Sequence, residues 1–319
     1  MKEFLIGKEA SNQRADKFVR KFLSDAPLSF IYKVFRKKDV KVNHHWIPAE
    51  YILQEGDLLQ IYITDEQLHS FQQTAPLSPK PFLYPIIYED ENILIVQKPK
   101  GILVHGDETE KRKTLANDVL NYLYGKGEYD PRKQVGFTPA PAHRLDRNTS
   151  GLVIFGKNIP TLQTLYDVFK NHEEMEKKYY ALVVGNVAKD GEIHLPLSKN
   201  EKTGLVRVDS NGKSAWTEYH VIKKWKEYTL LSISLHTGRT HQIRVHLSAI
   251  GHPIVGDSKY GNFAVNKSFE AKYHYENQFL HAYSISFLNM PEPLSYLSGK
   301  EFHATLPKKE KEILEALSC

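Results

Sequence analysis

The stretch that most constrains the fold is His143-Arg144-Leu145-Asp146-Arg147-Asn148-Thr149-Ser150-Gly151 with the apolar run Leu152-Val153-Ile154-Phe155 behind it. A short unbroken apolar run after polar residues and a glycine is the pattern of a buried strand, so the polar residues sit on a loop at its entrance. The loop combines a carboxylate, two guanidiniums, an imidazole and two hydroxyls, which suits a site better than a core. Asn148 and Ser150 read as turn residues that satisfy backbone donors. The same reading is open to Asp146, but Arg144 and Arg147 beside it favour chemistry. A carboxylate near cations stays ionised, and those cations can also reach a phosphate backbone.

A chain of 319 residues has room for one large domain and a small one. A net charge of +5 hints at a polyanionic partner only if the charge is clustered. It is clustered near the start. Ala15, Phe18, Val19, Phe22 and Leu23 predict a helix over residues 12–24, and a second helix from Leu28 buries Phe30, Ile31, Val34 and Phe35. Arg14, Lys17, Arg20, Lys21, Lys33, Arg36, Lys37 and Lys38 lie off both stripes. Each alone is an ordinary solvated cation, but together, with few acids among them, they form an electrostatic footprint for RNA. Short strands at Val40–Asn43, Tyr51-Ile52 and Leu58–Tyr62, with a turn at Glu55-Gly56-Asp57, complete a small α+β module over residues 1–63. The polar, proline-bearing stretch 64–85 is the expected connector, and 86–319 the large domain. The single cysteine, Cys319, excludes an intrachain disulfide or a cysteine metal cluster and fits a reducing compartment. No apolar stretch is long enough to cross a bilayer and the N-terminus lacks a secretory h-region, so a cytoplasmic location without a membrane partner is expected.

In the large domain, strand patterns at 86–96 lead to the turn Lys98-Pro99-Lys100-Gly101. Thr114 reads as the N-cap of a helix carrying Leu115, Val119, Leu120 and Leu123, and Gly125–Pro141 as a surface loop. A helix over 160–169 should turn Leu162, Leu165, Tyr166 and Phe169 inward. The strand 176–185 begins with Tyr179 and Tyr180, which alternation sends to opposite faces, so that one of them can reach a pocket. A strand at 230–235 runs into His236-Thr237-Gly238-Arg239-Thr240-His241-Gln242-Ile243-Arg244-Val245-His246-Leu247. Its histidines invite a metal reading, but His241 and His246 are five apart rather than four, with no cysteine or carboxylate beside them. Arg239 and Arg244 can pair with an active-site carboxylate or with phosphates. Late strands at 278–282 and 302–304 and a helix at 308–317 close an α+β fold.

The run His-Arg-Leu-Asp-x-x-Thr-Ser-Gly at His143–Gly151 resembles the signature of the RluA-type pseudouridine synthases. Further similarities extend it over nearly the whole chain: the Lys98–Gly101 turn, Lys177-x-Tyr179 with its following alanine and glycine, the Thr237–Arg244 motif, and the Gly251–Asp257 and Lys259–Gly261 turns. Arg14–Phe18 and Lys41–Asn43 resemble an S-four-like RNA-binding domain. The resemblance implies an α+β catalytic domain on a long, bent, mostly antiparallel mixed sheet with a central cleft. It also implies conversion of uridine to pseudouridine in RNA, an isomerisation that consumes nothing and needs no cofactor or metal.

By the same resemblance, Asp146 is the catalytic carboxylate, whose attack on sugar, attack on base or proton removal stays undecided. Arg244 is its ion-pair partner, and Tyr179, with Lys177 beside it, lies in the site, where its phenol could take the proton from carbon five. Ile243 lines the uracil pocket. Arg144 fills the place of a flipped base. His143 supports the loop or contacts RNA, and Arg147 and Arg239 are further binding candidates. The N-terminal module favours large-subunit ribosomal RNA over transfer RNA, and the chain is expected to act as a monomer with no DNA partner. Two other classes stay open. A non-catalytic RNA-binding protein is disfavoured by Asp146, Tyr179 and Arg244 occurring together. A hydrolase lacks an evident second carboxylate in the arginine-rich motifs.

Overall fold

The computed structural model describes residues 1–319 apart from 24, 72–76, 78, 108–109, 111, 132–133, 135, 172 and 319. Cys319 and part of the expected connector therefore lie outside the described residues. The N-terminal part comprises β1 (Lys2–Leu5), α1 (Ala15–Phe22), α2 (Leu28–Arg36), β2 (Val40–Val42), β3 (His45–Trp46) and β4 (Leu58–Ile61). Its antiparallel sheet has the order β1-β4-β2-β3. Phe18, Val19 and Phe22 of α1 and Ile31, Val34 and Phe35 of α2 meet Val40, Val42, Leu59 and Ile61 in one apolar cluster. Burying that stripe is what holds helices this short.

Three local expectations change. Ile52 makes only an isolated bridge to Arg14, and the partner of β2 is instead β3, reached through left-handed backbone at Asn43 and His44. Strand β1 is too short to announce itself by alternation. Residues expected in the connector form α3 (Asp65–Phe71), whose Leu68 and Phe71 pack on the N-terminal cluster, with the Phe71 ring 4.7 Å from Phe30. The N-terminal part also touches the large one: Gln13 Nε2 donates to the Gly136 carbonyl at 2.9 Å, and Gln163 Nε2 to that of Asn12 at 2.9 Å.

The large part begins with β5 (Ile86–Glu89), β6 (Ile93–Lys98), α4 (Leu115–Gly125), β7 (Ala140–Pro141), β8 (Ser150–Gly156), α5 (Ile159–Asn171) and β9 (Met175–Val184). It continues through β10 (Gly191–Ile193), β11 (Leu197–Lys199), β12 (Val206–Val208), β13 (Thr217–Lys224), β14 (Tyr228–Leu235) and α6 (Gln242–Ala249). It ends with α7 (Phe263–Tyr273), β15 (Leu280–Phe287), β16 (Glu301–His303) and α8 (Lys308–Ala316). Thr114 caps α4 by accepting from the Asn117 amide at 3.2 Å. The main sheet runs β10-β13-β14-β9-β15-β8-β6-β5, with β16 on β15 and β7 on β8, and β11 and β12 form a separate hairpin.

The central strands β6 and β8 are covered on both faces. Leu94, Val96, Val153 and Phe155 pack with Leu115, Val119 and Leu123 of α4, while Ile93, Ile95, Leu152 and Ile154 pack with Leu165 and Val168 of α5. That two-sided burial is why Leu152–Phe155 reads as an unbroken apolar run rather than an alternating one. Tyr166, expected inward, is exposed on α5, and Val168 takes the buried position.

Among the described pairs of the main sheet, β8–β15 is the parallel one, in register at Ser150 with His281 and Gly151 with Ala282. It joins the two antiparallel halves and sets the signature loop beside β9. Gly151 has φ +122°, and a Cβ there would sit 2.1 Å from the Ala282 carbonyl oxygen. Gly151→Ala should therefore destabilise the fold by on the order of 3 kcal/mol or more. Thermal denaturation checks this; a melting temperature equal to wild type would mean the junction tolerates what the geometry forbids.

Candidate active site

The loop from His143 to Thr149 enters β8, Tyr179 stands on β9, and α6 begins just after β14. Because β9 pairs with both β14 and β15, Tyr179 lies opposite Ile233 and Ala282, between the two motif-bearing segments. These segments enclose a cavity of about 280 Å³ lined by Arg144, Asp146, Lys177, Tyr179, Ile243 and Arg244 among others. That is the small end of the range for ligand pockets and suits one base with part of its sugar. Asp146 is the sole carboxylate among the described residues that line it.

Arg244 organises the floor. Its Nη1 donates to Asp146 Oδ2 at 2.8 Å, while Nε and Nη2 donate to Asp257 Oδ2 and Oδ1 at 2.7 and 2.9 Å. Asp257 is fully buried and also accepts from the Lys259 and Tyr260 amides at 2.9 and 3.1 Å. Burial alone would raise the Asp257 carboxyl; the bonded guanidinium outweighs it and holds the carboxyl below its usual range. A second acid thus approaches the site, but its donors leave it committed to Arg244.

Tyr179 is buried against the cavity, whereas Tyr180, on the other face of β9, stacks on Tyr283 with centroids 3.8 Å apart. Burial, with the Asp146 charge adding to it, raises the Tyr179 phenol, so it stays protonated near neutral pH. The Lys177 ammonium is buried, lies 4.4 Å from the centre of the Phe169 ring, and is pushed down to about 8 by burial. His143 packs on the same ring at 4.6 Å, and its Nε2 accepts from the Ile154 amide at 3.2 Å. Burial, with Lys177 nearby, drives His143 well below its ordinary value, leaving a neutral ring that supports the loop.

Arg144 is exposed at the rim, as is Arg239, whose Nε donates to the Ser214 carbonyl at 3.0 Å. Arg147, expected as a binding candidate, does not line the cavity: its side chain is exposed, and its backbone carbonyl accepts from the Lys98 ammonium at 2.9 Å. His241 and His246 diverge. His241 bonds Tyr260 Oη at 2.8 Å and stands 3.8 Å from Asp146, while His246 bonds Thr217 and the Leu195 carbonyl. Among the described residues no group of three histidine, cysteine or acidic side chains is placed to hold a metal.

Several contacts were not legible in the motifs. Asp257 carries no sign of its bond to Arg244, thirteen residues earlier. The Lys98 ammonium is fully buried and donates to the carbonyls of Pro99, Ile102 and Arg147 at 2.9, 2.8 and 2.9 Å, tying one turn to the signature loop. Gln278 Nε2 donates to Thr149 Oγ1 at 2.7 Å from the segment before β15. Phe169, expected only as core, is a cavity wall. The sequence signal for Lys98 is its place in the Lys-Pro-x-Gly turn; Asp257 has none beyond its turn, and Gln278 none beyond the late strand pattern at 278–282.

One carboxylate among the described lining residues, in a cleft of base size with cations around it, suits an enzyme that acts on a nucleoside. A family model for RNA pseudouridylate synthases matches residues 92–249, which include both arginine-rich motifs. The chain is 36% identical over 290 residues to the Vibrio cholerae protein named ribosomal large subunit pseudouridine synthase C, covering 89% of this chain and 88% of that one. It is 31% identical over 317 residues to an uncharacterized RNA pseudouridine synthase of Bacillus subtilis, covering 99% and 97%. The solved structure of human RNA pseudouridylate synthase domain containing 4 shares the fold with a TM-score of 0.58 at 22% identity, over 73% of this chain and 92% of that one. The chain belongs to the RluA-type RNA pseudouridine synthases, isomerases that convert uridine to pseudouridine. No helix among the described residues is long and apolar enough to cross a membrane.

Lys98 gives a pH signature. Burial, only partly offset by Asp146, lowers its ammonium to about 7, whereas an unfolded lysine titrates near 10.4. Between these values the unfolded chain binds the extra proton, so stability from this group rises with pH from about 7 to about 10 and its penalty is complete below 7. Chemical denaturation across that range should give wild type a steeper rise than Lys98→Met. Parallel curves would show that the buried amine does not titrate there.

Proposed function

We propose that the chain isomerises uridine in large-subunit ribosomal RNA and that Asp146 is the reacting carboxylate. The substrate rests on the relatives that carry that name over nearly their whole length. The assignment of Asp146 rests on one observation: among the described residues the base-sized cavity has a single carboxylate, bonded to Arg244 at 2.8 Å, and its other charged lining residues are cationic.

As the bond between N1 and C1′ breaks, positive charge builds on the ribose and Asp146 stabilises it, by field or by a transient ester. The detached uracil turns between Tyr179 and Ile243, C5 bonds to C1′, and any bond to Asp146 is released. C5 loses one proton and N1 gains one, so the reaction is balanced without a co-reactant. The protonated Tyr179 phenol stacks on the uracil; it can take the C5 proton only by passing its own on, and Asp146 is the charged group that already influences it. Arg244 keeps the carboxylate oriented. A paired uridine must first leave its helix, and Arg144 at the rim is free to fill the gap. Lys177 and Arg239 reach the backbone or base of the extruded nucleotide, and the exposed Arg147 can contact RNA outside the cavity. Residues 1–63, extended by α3, act as an S-four-like module that binds flanking RNA through the cations of α1 and α2.

Asp146→Asn should lower tritium release from C5-labelled uridine in unmodified ribosomal RNA by at least a factor on the order of 10³, with RNA affinity nearly unchanged. Release by the variant at the wild-type rate would sink the assignment of Asp146. Wild-type release from transfer RNA but not ribosomal RNA would overturn the substrate.

A further inference from the structure

The N-terminal sheet has a second face. Val40, Val42, Leu59 and Ile61 point into the apolar cluster, so alternation puts Lys41, Gln60 and Tyr62 on the side away from α1 and α2. Trp46 of β3 lies directly across from Lys41 and shares that side. Trp46 is 58% exposed and Tyr62 39%, on a sheet whose other side holds a complete core. Each ring is capped by a lysine: Lys38 Nζ lies 4.9 Å from the centre of Trp46, and Lys41 Nζ 4.9 Å from that of Tyr62. β3 is the edge strand and has two residues, so strand addition by another chain has little to grip.

We propose that this face is a stacking site for unpaired nucleotides of the RNA that the cleft modifies. The proposal rests on the reading that the N-terminal module contacts RNA, but uses a different surface from the cations on the outer sides of α1 and α2. An exposed indole and phenol on this face, where Gln60 is buried, offer flat apolar area to a base. The lysines supply cation–π attraction to the rings and can turn outward to a phosphate. Neither ring can stack on a base that stays inside a duplex, so the partner is a loop, bulge or single-stranded flank. Glu3 is an acid on the same side of the sheet, where it accepts from Gln60 at 2.7 Å. A protein partner would find here a small patch bounded by lysines, whereas RNA meets both its apolar and its charged parts.

The test is equilibrium binding of the full chain to a single-stranded oligoadenylate and to a fully paired RNA duplex over a range of salt, with Trp46→Ala, Trp46→Phe, and Lys38→Gln with Lys41→Gln. Trp46→Ala should weaken oligoadenylate binding roughly 5- to 100-fold without changing the salt slope, and Trp46→Phe should retain most of the affinity. Removing both lysines should flatten the slope by about 0.7 for each phosphate left without its cation. Duplex binding should not respond to Trp46. Wild-type affinity of Trp46→Ala for the single strand would overturn the proposal, as would an equal loss for the duplex. Binding needs no turnover, so the stacking site can fail while tritium release succeeds, and the reverse.

Discussion

Everything at the site depends on Arg244 being held from two sides. A guanidinium so deeply buried is stable only when its charge and its donors are met, and Asp257 meets both with a two-pronged bond in a fully buried position. The remaining Nη1 is thereby aimed at Asp146. Asp257 is itself bonded by the turn after α6, so the chain from backbone amide to Asp257, Arg244 and Asp146 is rigid at each step. In an isomerisation of a single nucleoside, prior placement of a carboxylate is a direct way for the protein to contribute.

The fold supplies the meeting point. Asp146 and Arg244 are 98 residues apart, and they come together because β8 and β15 run parallel where two antiparallel halves join. Gly151 allows the backbones to approach at that seam, and His281 bonds Ser150 Oγ across it at 2.9 Å. Lys98 and Gln278 then tie the signature loop to its neighbours through Arg147 and Thr149. The loop that carries Asp146 is thus fixed by its neighbours rather than left to its own turn geometry.

Local pattern made the central elements legible. The unbroken Leu152–Phe155 run announced a strand buried on both faces, Thr114 announced the start of α4, and alternation separated Tyr179 from Tyr180. Asp146 stood out because cations surround it in sequence as they do in space. What stayed hidden depends on distant partners. Asp257 sits in a turn whose composition explains its presence without reference to Arg244. β3 is two residues long and owes its existence to pairing with β2, and α3 forms in a stretch whose prolines suggested a connector, because Phe71 finds Phe30. Tyr166 fits the helical stripe by spacing, yet Val168 takes the buried place on α5.

If Asp257 places Asp146 through Arg244, the two residues are coupled in turnover, and a double-mutant cycle on the turnover number tests this most directly. Asp257→Asn, Arg244→Lys and the double variant would be compared with wild type under saturating RNA. If one guanidinium carries the effect, the double variant is no slower than Arg244→Lys alone, a coupling of about 1 kcal/mol or more. Independent losses that multiply would contradict it, and Asp257 would then be a stabilising residue with no part in placing Asp146.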